Sequence, residues 1–104
     1  MEQRRTRRFK LHLPLSITRS GAERMALPGY TRNISSSGVL FTTEREPDLN
    51  GPIEYVITLN SDGSPSVNLR CIGKVIRAEK VDTADPVPAF QIAATLERYE
   101  FIRD

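Results

Sequence analysis

The chain has 104 residues, of which 38% are hydrophobic and 27% charged, with a formal net charge of +2. A chain of this length forms one domain around one modest core, and it contains no run of roughly 20 apolar residues that could span a bilayer as a helix. The only cysteine, Cys71, and the only histidine, His12, exclude an internal disulfide and argue against a zinc site, which needs about four such ligands. We therefore expect a folded, soluble domain without a metal ion.

The basic charge is concentrated at the N-terminus. Residues 1–12 contain five Lys or Arg and one Glu, net +4, whereas residues 13–104 contain ten Lys or Arg and twelve Asp or Glu, net −2. General nucleic-acid binders usually spread Lys and Arg over a face of the folded body, so an acidic body argues against a duplex-binding surface. The basic N-terminus also lacks the apolar segment of a secretory signal, which predicts a cytoplasmic location.

Alternation of apolar and polar residues predicts several strands with one buried face each. The pattern covers residues 10–18, 53–59, 67–78 and 90–97. Pro14 falls on the polar side of the first stretch, where it removes one donor from the strand ladder and predicts an edge position or a bulge. Gly73 interrupts the third stretch and predicts a bulge or a bend.

Turn-forming residues separate these stretches. They occur at 20–21, 28–29, 50–52, 61–65 and 82–88. Residues 29–34 and 38–44 flank a further polar corner and predict a hairpin-like pair. Because the strands are short and no segment has apolar residues at helical spacing, the sequence predicts a small, closed or nearly closed antiparallel barrel.

One candidate binding element is the arginine cluster Arg-Arg-Thr-Arg-Arg at residues 4–8. The planar guanidinium fork can grip phosphate oxygens or pair with O6 and N7 of guanine, and its flat face can stack on a base. Lysine would supply the charge without the fork, so the exclusive use of arginine favours recognition of a ligand. The alternative is a disordered basic tail.

The second candidate element is the corner Asn-Ile-Ser-Ser-Ser-Gly at residues 33–38. The Asn33 amide and the Ser35 hydroxyl are short polar groups that can reach a guanine edge. Gly38 permits a positive φ or a close approach of a ligand to the main chain. The alternative is a simple Asx or serine turn that closes a hairpin, in which these residue types are also common.

Together, the two motifs and their spacing resemble the PilZ domain, the bacterial cyclic di-GMP receptor module. That family carries R-x-x-x-R on its N-terminal arm and (D/N)-x-S-x-x-G on a later corner. Arg4 and Arg8 match the first motif, and Asn33, Ser35 and Gly38 match the second, which begins 29 positions after Arg4. The resemblance continues through the later strands and covers nearly the whole chain.

The resemblance implies an all-β fold, a six-stranded antiparallel barrel at residues 10–104 preceded by a flexible basic arm at residues 1–12. A C-terminal helix would be at most a short one within residues 97–103. The implied ligand is cyclic di-GMP. The arm would fold over the bound ligand, and this change of conformation would signal to a protein partner. No membrane insertion is expected.

The resemblance also implies roles for individual residues. Arg4 and Arg8 would be the main contacts to phosphate and guanine, with Arg5 as a helper. In the family the first corner position is usually Asp, so Asn33 keeps the hydrogen-bond acceptor but loses the charge.

Catalysis is not indicated. One histidine on a strand cannot be combined with a nucleophile and an acid, and the loop carboxylates have no spacing that would single out an acid and a base. Two other functions stay open. A single-stranded nucleic-acid-binding barrel would usually show aromatic stacking platforms, whereas most of the seven aromatics here fall on apolar registers. A PilZ-like scaffold that binds only proteins would be expected to have lost one motif.

Overall fold

The computed structural model describes residues 9–47, 50–60, 67–81 and 89–103, which form antiparallel strands. The strands are β1 (Pro14–Ser20), β2 (Glu23–Ile34), β3 (Gly38–Thr43), β4 (Pro52–Asn60), β5 (Val67–Val81), β6 (Ala89–Thr95) and β7 (Arg98–Arg103). Within these ranges no helix occurs that is long and apolar enough to cross a lipid bilayer.

Six of the strands close into a barrel. Their order is β4-β1-β2-β3-β6-β5, and β5 pairs with β4 to complete the circle. The predicted six-stranded antiparallel barrel is therefore confirmed. Closure removes the free strand edges that an open sheet of this size would expose.

β7 lies along β5 outside this circle. The second half of β5 pairs with β6, and its first half pairs with β7, with Cys71 opposite Tyr99 and Leu69 opposite Phe101. Residues 98–103 are thus a strand, and the short helix that the sequence allowed within 97–103 does not form. The cause is the length of β5, whose first half leaves backbone groups that the chain can pair with as it continues past Thr95.

The core is built by the predicted alternation. Its fully or nearly buried apolar residues are Leu15, Ile17, Leu27, Val39, Phe41, Ile53, Tyr55, Ile57, Cys71, Val75, Ile92 and Ala94. The alternation expected for residues 10–18 is regular only from Pro14 onward, since Leu11 is exposed. Pro14 is the first residue of β1, and β1 lies between β2 and β4. The edge position predicted for Pro14 is therefore wrong, because a strand's first position also tolerates a missing donor. The bulge that was its alternative lies further along β1, between Ile17 and Arg19.

Two predicted turns are confirmed and one is wrong. The backbone has positive φ at Gly21 and at Asn50, inside the turns predicted at 20–21 and 50–52. Pro28 and Gly29 lie instead within β2, where Gly29 pairs with both Leu15 and Thr43. The turns predicted at 61–65 and 82–88 lie outside the described residues.

Gly73 marks a close approach between two strands. A Cβ at this position would lie 1.8 Å from the backbone oxygen of Thr95, so only glycine fits. The residue lies where β5 changes its partner from β7 to β6. This agrees with the interruption that the sequence predicted.

Candidate functional site

A bulge in β2 turns Asn33 toward the outside of the barrel. Thr31 pairs with Phe41, and Asn33 pairs with Leu40, which leaves Arg32 as the extra residue. Thr31 is fully buried and Ile34 packs against the core. Arg32 and Asn33 therefore both project from the outer surface, because a bulge shifts the alternation by one residue.

A second bulge has the same effect in β5. Val75 pairs with Ala94 and Arg77 pairs with Ala93, so Ile76 is the extra residue. Val75 is buried, whereas Ile76 is 56% exposed and Arg77 is exposed as well. Without this bulge, simple alternation from Val75 would direct Arg77 into the core.

The two bulges lie at the ends of one row of residues on the outer face. Asn33 is opposite Leu40, Leu40 is opposite Ala93, and Ala93 is opposite Arg77. The row crosses four strands, so three strand spacings separate the Cα atoms of Asn33 and Arg77 by about 14 Å. An asparagine and an arginine thus face each other across a short apolar floor.

An open groove of about 380 Å³ lies over this row and is called the outer groove below. Its lining is Asn33, Ser37, Gly38, Val39, Leu40, Ile76, Arg77, Ala93, Ala94 and Thr95. The floor is formed by small or apolar residues, which suits the flat face of a ligand ring. The two predicted site residues Asn33 and Gly38 are brought together here.

Gly38 allows β3 to approach β6. A Cβ at Gly38 would lie 3.0 Å from the backbone oxygen of Ala94. Gly21, and not Gly38, is the glycine with positive φ among the described residues. The positive φ that the sequence allowed at Gly38 therefore does not occur, and the close neighbour observed is the β6 backbone; a close approach of a ligand to Gly38 stays a prediction.

Ser35 holds the turn between β2 and β3. Its buried hydroxyl accepts hydrogen bonds from the backbone amides of Gly38 at 3.1 Å and Ser37 at 3.3 Å. Its own amide donates to the carbonyl of Gly38 at 2.8 Å. Ser35 thus shapes the corner from below, while Ser37 lines the groove. The predicted contact between Ser35 and a ligand stays a prediction.

The predicted arginine contacts Arg4, Arg5 and Arg8 lie outside the described residues. The residue that follows them is anchored at the corner, because Phe9 donates a hydrogen bond to Ile34 at 2.8 Å and accepts one from it at 2.9 Å. Covalent geometry tethers the Arg4 Cα within about 18 Å of the Phe9 Cα. The arginine motif is therefore attached to the chain beside the corner motif.

A second depression lies next to the outer groove. It has a volume of about 280 Å³ and is lined by Lys10, His12, Thr31, Arg32 and Thr42. His12 is exposed, and its ring lies 5.0 Å from that of Tyr30. This side of the barrel is basic even though residues 13–104 carry a net negative charge.

The described acidic groups that form ion pairs lie elsewhere. Arg70 contacts Glu54 at 3.2 Å and Glu100 at 2.8 Å on the β4-β5-β7 face. The hydrogen bond from Arg70 lowers the pKa of Glu54, partial burial opposes this, and a hydrogen bond from Thr18 lowers it further. Within the described ranges, no carboxylate forms an ion pair with Arg32 or Arg77.

Cys71 is a core residue with an unreactive thiol. It is fully buried, and burial raises the pKa of its thiol to about 12. Very little thiolate exists near neutral pH under these conditions. Tyr55 lies beside it in the core, where burial raises the pKa of the phenol and the hydroxyl donates to the Thr95 carbonyl at 3.1 Å.

Nearly the whole chain matches one known protein family. The PilZ domain family matches residues 2–100. This chain belongs to the PilZ family. PilZ domains are cyclic di-GMP receptors rather than enzymes, and both PilZ motifs fall within the matched segment. No curated protein and no solved structure matched the chain.

Arg77 and Ser37 line the outer groove and Arg32 lines the second depression, but none of the three occupies a defined position of either motif. The signal for Ser37 was its place in the corner motif. Arg77 gave no such signal, because its outward direction depends on a bulge that leaves no glycine or proline in the sequence.

Proposed function

We propose that this PilZ domain is a cyclic di-GMP receptor that binds its ligand between the outer groove and the N-terminal arm. One observation carries the proposal: Asn33 and Gly38 of the corner motif line a groove of about 380 Å³, and Phe9 ties the arm to the same corner. The ligand would thus contact both motifs at once. The protein acts as a receptor and not as a catalyst.

The ligand's two kinds of chemical group fit two parts of this site. A guanine base lies on the apolar floor formed by Leu40 and Ala93, and the Asn33 side-chain oxygen accepts hydrogen bonds from its N1 and N2 groups. Arg4 and Arg8 bind the phosphodiester oxygens and a guanine edge, with Arg5 in support. Ser35 supports the corner and approaches the same base.

Ligand binding then orders the arm and produces the signal. Fixing the backbone of eight residues costs on the order of 8–16 kcal/mol. Contacts from three or four arginines return roughly 5–12 kcal/mol, so the arm is ordered only when the nucleotide supplies them. The ordered arm, here taken as residues 1–12 on a barrel of residues 10–104, forms a surface that a cytoplasmic protein partner recognises.

Calorimetric titration tests this function. We expect cyclic di-GMP to bind more tightly than GMP or cyclic di-AMP. A folded protein that gives no heat and no competition at tens of micromolar cyclic di-GMP would overturn the proposal. A steep salt dependence with an oligonucleotide ligand would instead favour a single-stranded nucleic-acid binder.

The arginine motif is tested by single substitutions. Arg4→Ala and Arg8→Ala should each weaken binding about ten- to a hundredfold, because a charge-assisted hydrogen bond contributes about 1.5–3 kcal/mol. Arg7→Ala is the matched control, since Arg7 belongs to neither motif. Equal losses for all three variants would indicate a nonspecific charge effect.

A further inference from the structure

We propose that Arg77 is an additional binding residue, whose guanidinium pairs with O6 and N7 of the guanine in the outer groove. The inference rests on the proposed function and extends it to a residue outside both PilZ motifs. Arg77 would read the O6/N7 edge of the base, which adjoins the N1/N2 edge that Asn33 contacts.

The first support is the direction of the side chain. The bulge at Ile76 gives Arg77 and Ala93 a direct pairing on the outer face, although Val75 two positions earlier is buried in the core. Bulges of this kind often re-aim a side chain next to a binding site. The matching bulge at Arg32 does the same for Asn33, so both ends of the row project over the groove.

The second support is the composition of the groove between these two residues. Leu40 and Ala93 separate Asn33 from Arg77 in the row, and Ile76 lines the Arg77 end. The Leu40 and Ala93 side chains suit the face of a base and offer no donors to a phosphate. A guanidinium at the rim of such a floor therefore meets the base edge.

The third support is charge. Arg77 is exposed and forms no ion pair in the part of the chain that the structure describes, whereas Arg70 on the same strand is held by Glu54 and Glu100. The Arg77 fork is thus available to a ligand. Arginine pairs with guanine O6 and N7 through two parallel hydrogen bonds, the commonest base-specific contact in protein–nucleic acid recognition.

The test is a titration of wild type and Arg77→Ala with cyclic di-GMP and with its analogue in which both bases are 7-deazaguanine, which lacks N7. We expect Arg77→Ala to weaken binding of cyclic di-GMP about 5- to 150-fold. The wild type should prefer cyclic di-GMP over the analogue, and this preference should shrink in Arg77→Ala. Arg77→Lys keeps the charge without the fork and should recover only part of the affinity.

Arg24→Ala is the matched control, because Arg24 is an exposed arginine at the β1–β2 hairpin, away from the groove. It should bind like the wild type, and all variants should keep the wild-type melting temperature. Arg77→Ala with unchanged affinity would overturn the role of Arg77 while leaving the receptor function intact. A loss that is the same for both ligands would show a phosphate or charge contact and would also overturn base reading. A wild type that does not bind cyclic di-GMP would overturn both proposals.

Discussion

A single hydroxyl holds the turn between β2 and β3. Ser35→Ala would leave the backbone amides of Ser37 and Gly38 without their buried acceptor. We expect the free energy of unfolding to fall by about 1–3 kcal/mol, because a buried donor without a partner keeps its desolvation cost. Urea denaturation measures this change. Ser36→Ala, an exposed neighbour, should stay within about 0.5 kcal/mol of the wild type, and an equally stable Ser35→Ala would contradict the role in the turn.

The carboxylate of Glu54 should make stability depend on acid pH. Its pKa is lowered in the folded state from a value of 4.5, mainly by the hydrogen bond from Arg70. A lowered folded pKa means that the stabilisation is present above the unfolded pKa and is lost as pH falls through the folded one. The difference in unfolding free energy between wild type and Glu54→Gln should therefore shrink on acidification. A difference that stays constant down to about pH 3 would show that the ion pair contributes nothing.

Only the site residues that belong to a recognisable sequence motif could be predicted from the sequence. Asn33 and Gly38 were found because the corner motif stands at the PilZ spacing from the arginine motif, and both residues line the groove. The role of Ser35 in holding the turn became visible only from the hydrogen bonds that its hydroxyl accepts in the folded structure. Arg77 was missed because a one-residue bulge reverses the face of every residue after it.

At the scale of the strands, β5 controls closure of the barrel. Gly73→Ala would place a methyl group 1.8 Å from the Thr95 backbone oxygen, and a backbone atom cannot rotate away. We expect a loss of at least about 1–3 kcal/mol in unfolding free energy, measured by urea denaturation. Lys74→Ala, at the exposed next residue, is the control. Wild-type stability in Gly73→Ala would mean that β5 and β6 separate easily at this point.

Strand positions followed from alternation wherever one face of a strand contacts the core. The buried set Ile53, Tyr55 and Ile57 of β4 is an example. The turn predicted from Pro28 and Gly29 was wrong, because pairing on both edges of β2 overrode their turn chemistry. Alternation gave no indication of β7, because most of that strand is exposed and its position depends on the unusual length of β5.

For the molecule as a whole, the buried thiol of Cys71 reports opening of the barrel. Burial and a pKa raised to about 12 should protect it from a thiol reagent at about pH 8. Labelling then requires opening, and cyclic di-GMP at about 100 times its Kd should slow it about 100-fold if the open state does not bind ligand. The rate at which the thiol reagent labels Cys71, with and without the nucleotide, measures this change. Rapid labelling of the native protein, or a rate that ligand leaves unchanged, would contradict a closed barrel coupled to the groove.

The row from Asn33 through Leu40 and Ala93 to Arg77 joins parts of the chain that are distant in sequence. The outer groove therefore has a high contact order, and it exists only after β3, β5 and β6 have all paired. Asn33 and Leu40 meet across a short turn, but loop-closure entropy must be overcome before Ala93 pairs with Leu40 and Arg77, which makes completion of the row a late event in folding. A nascent chain acquires its receptor site only when β6 has emerged, so the nucleotide should slow unfolding without accelerating refolding.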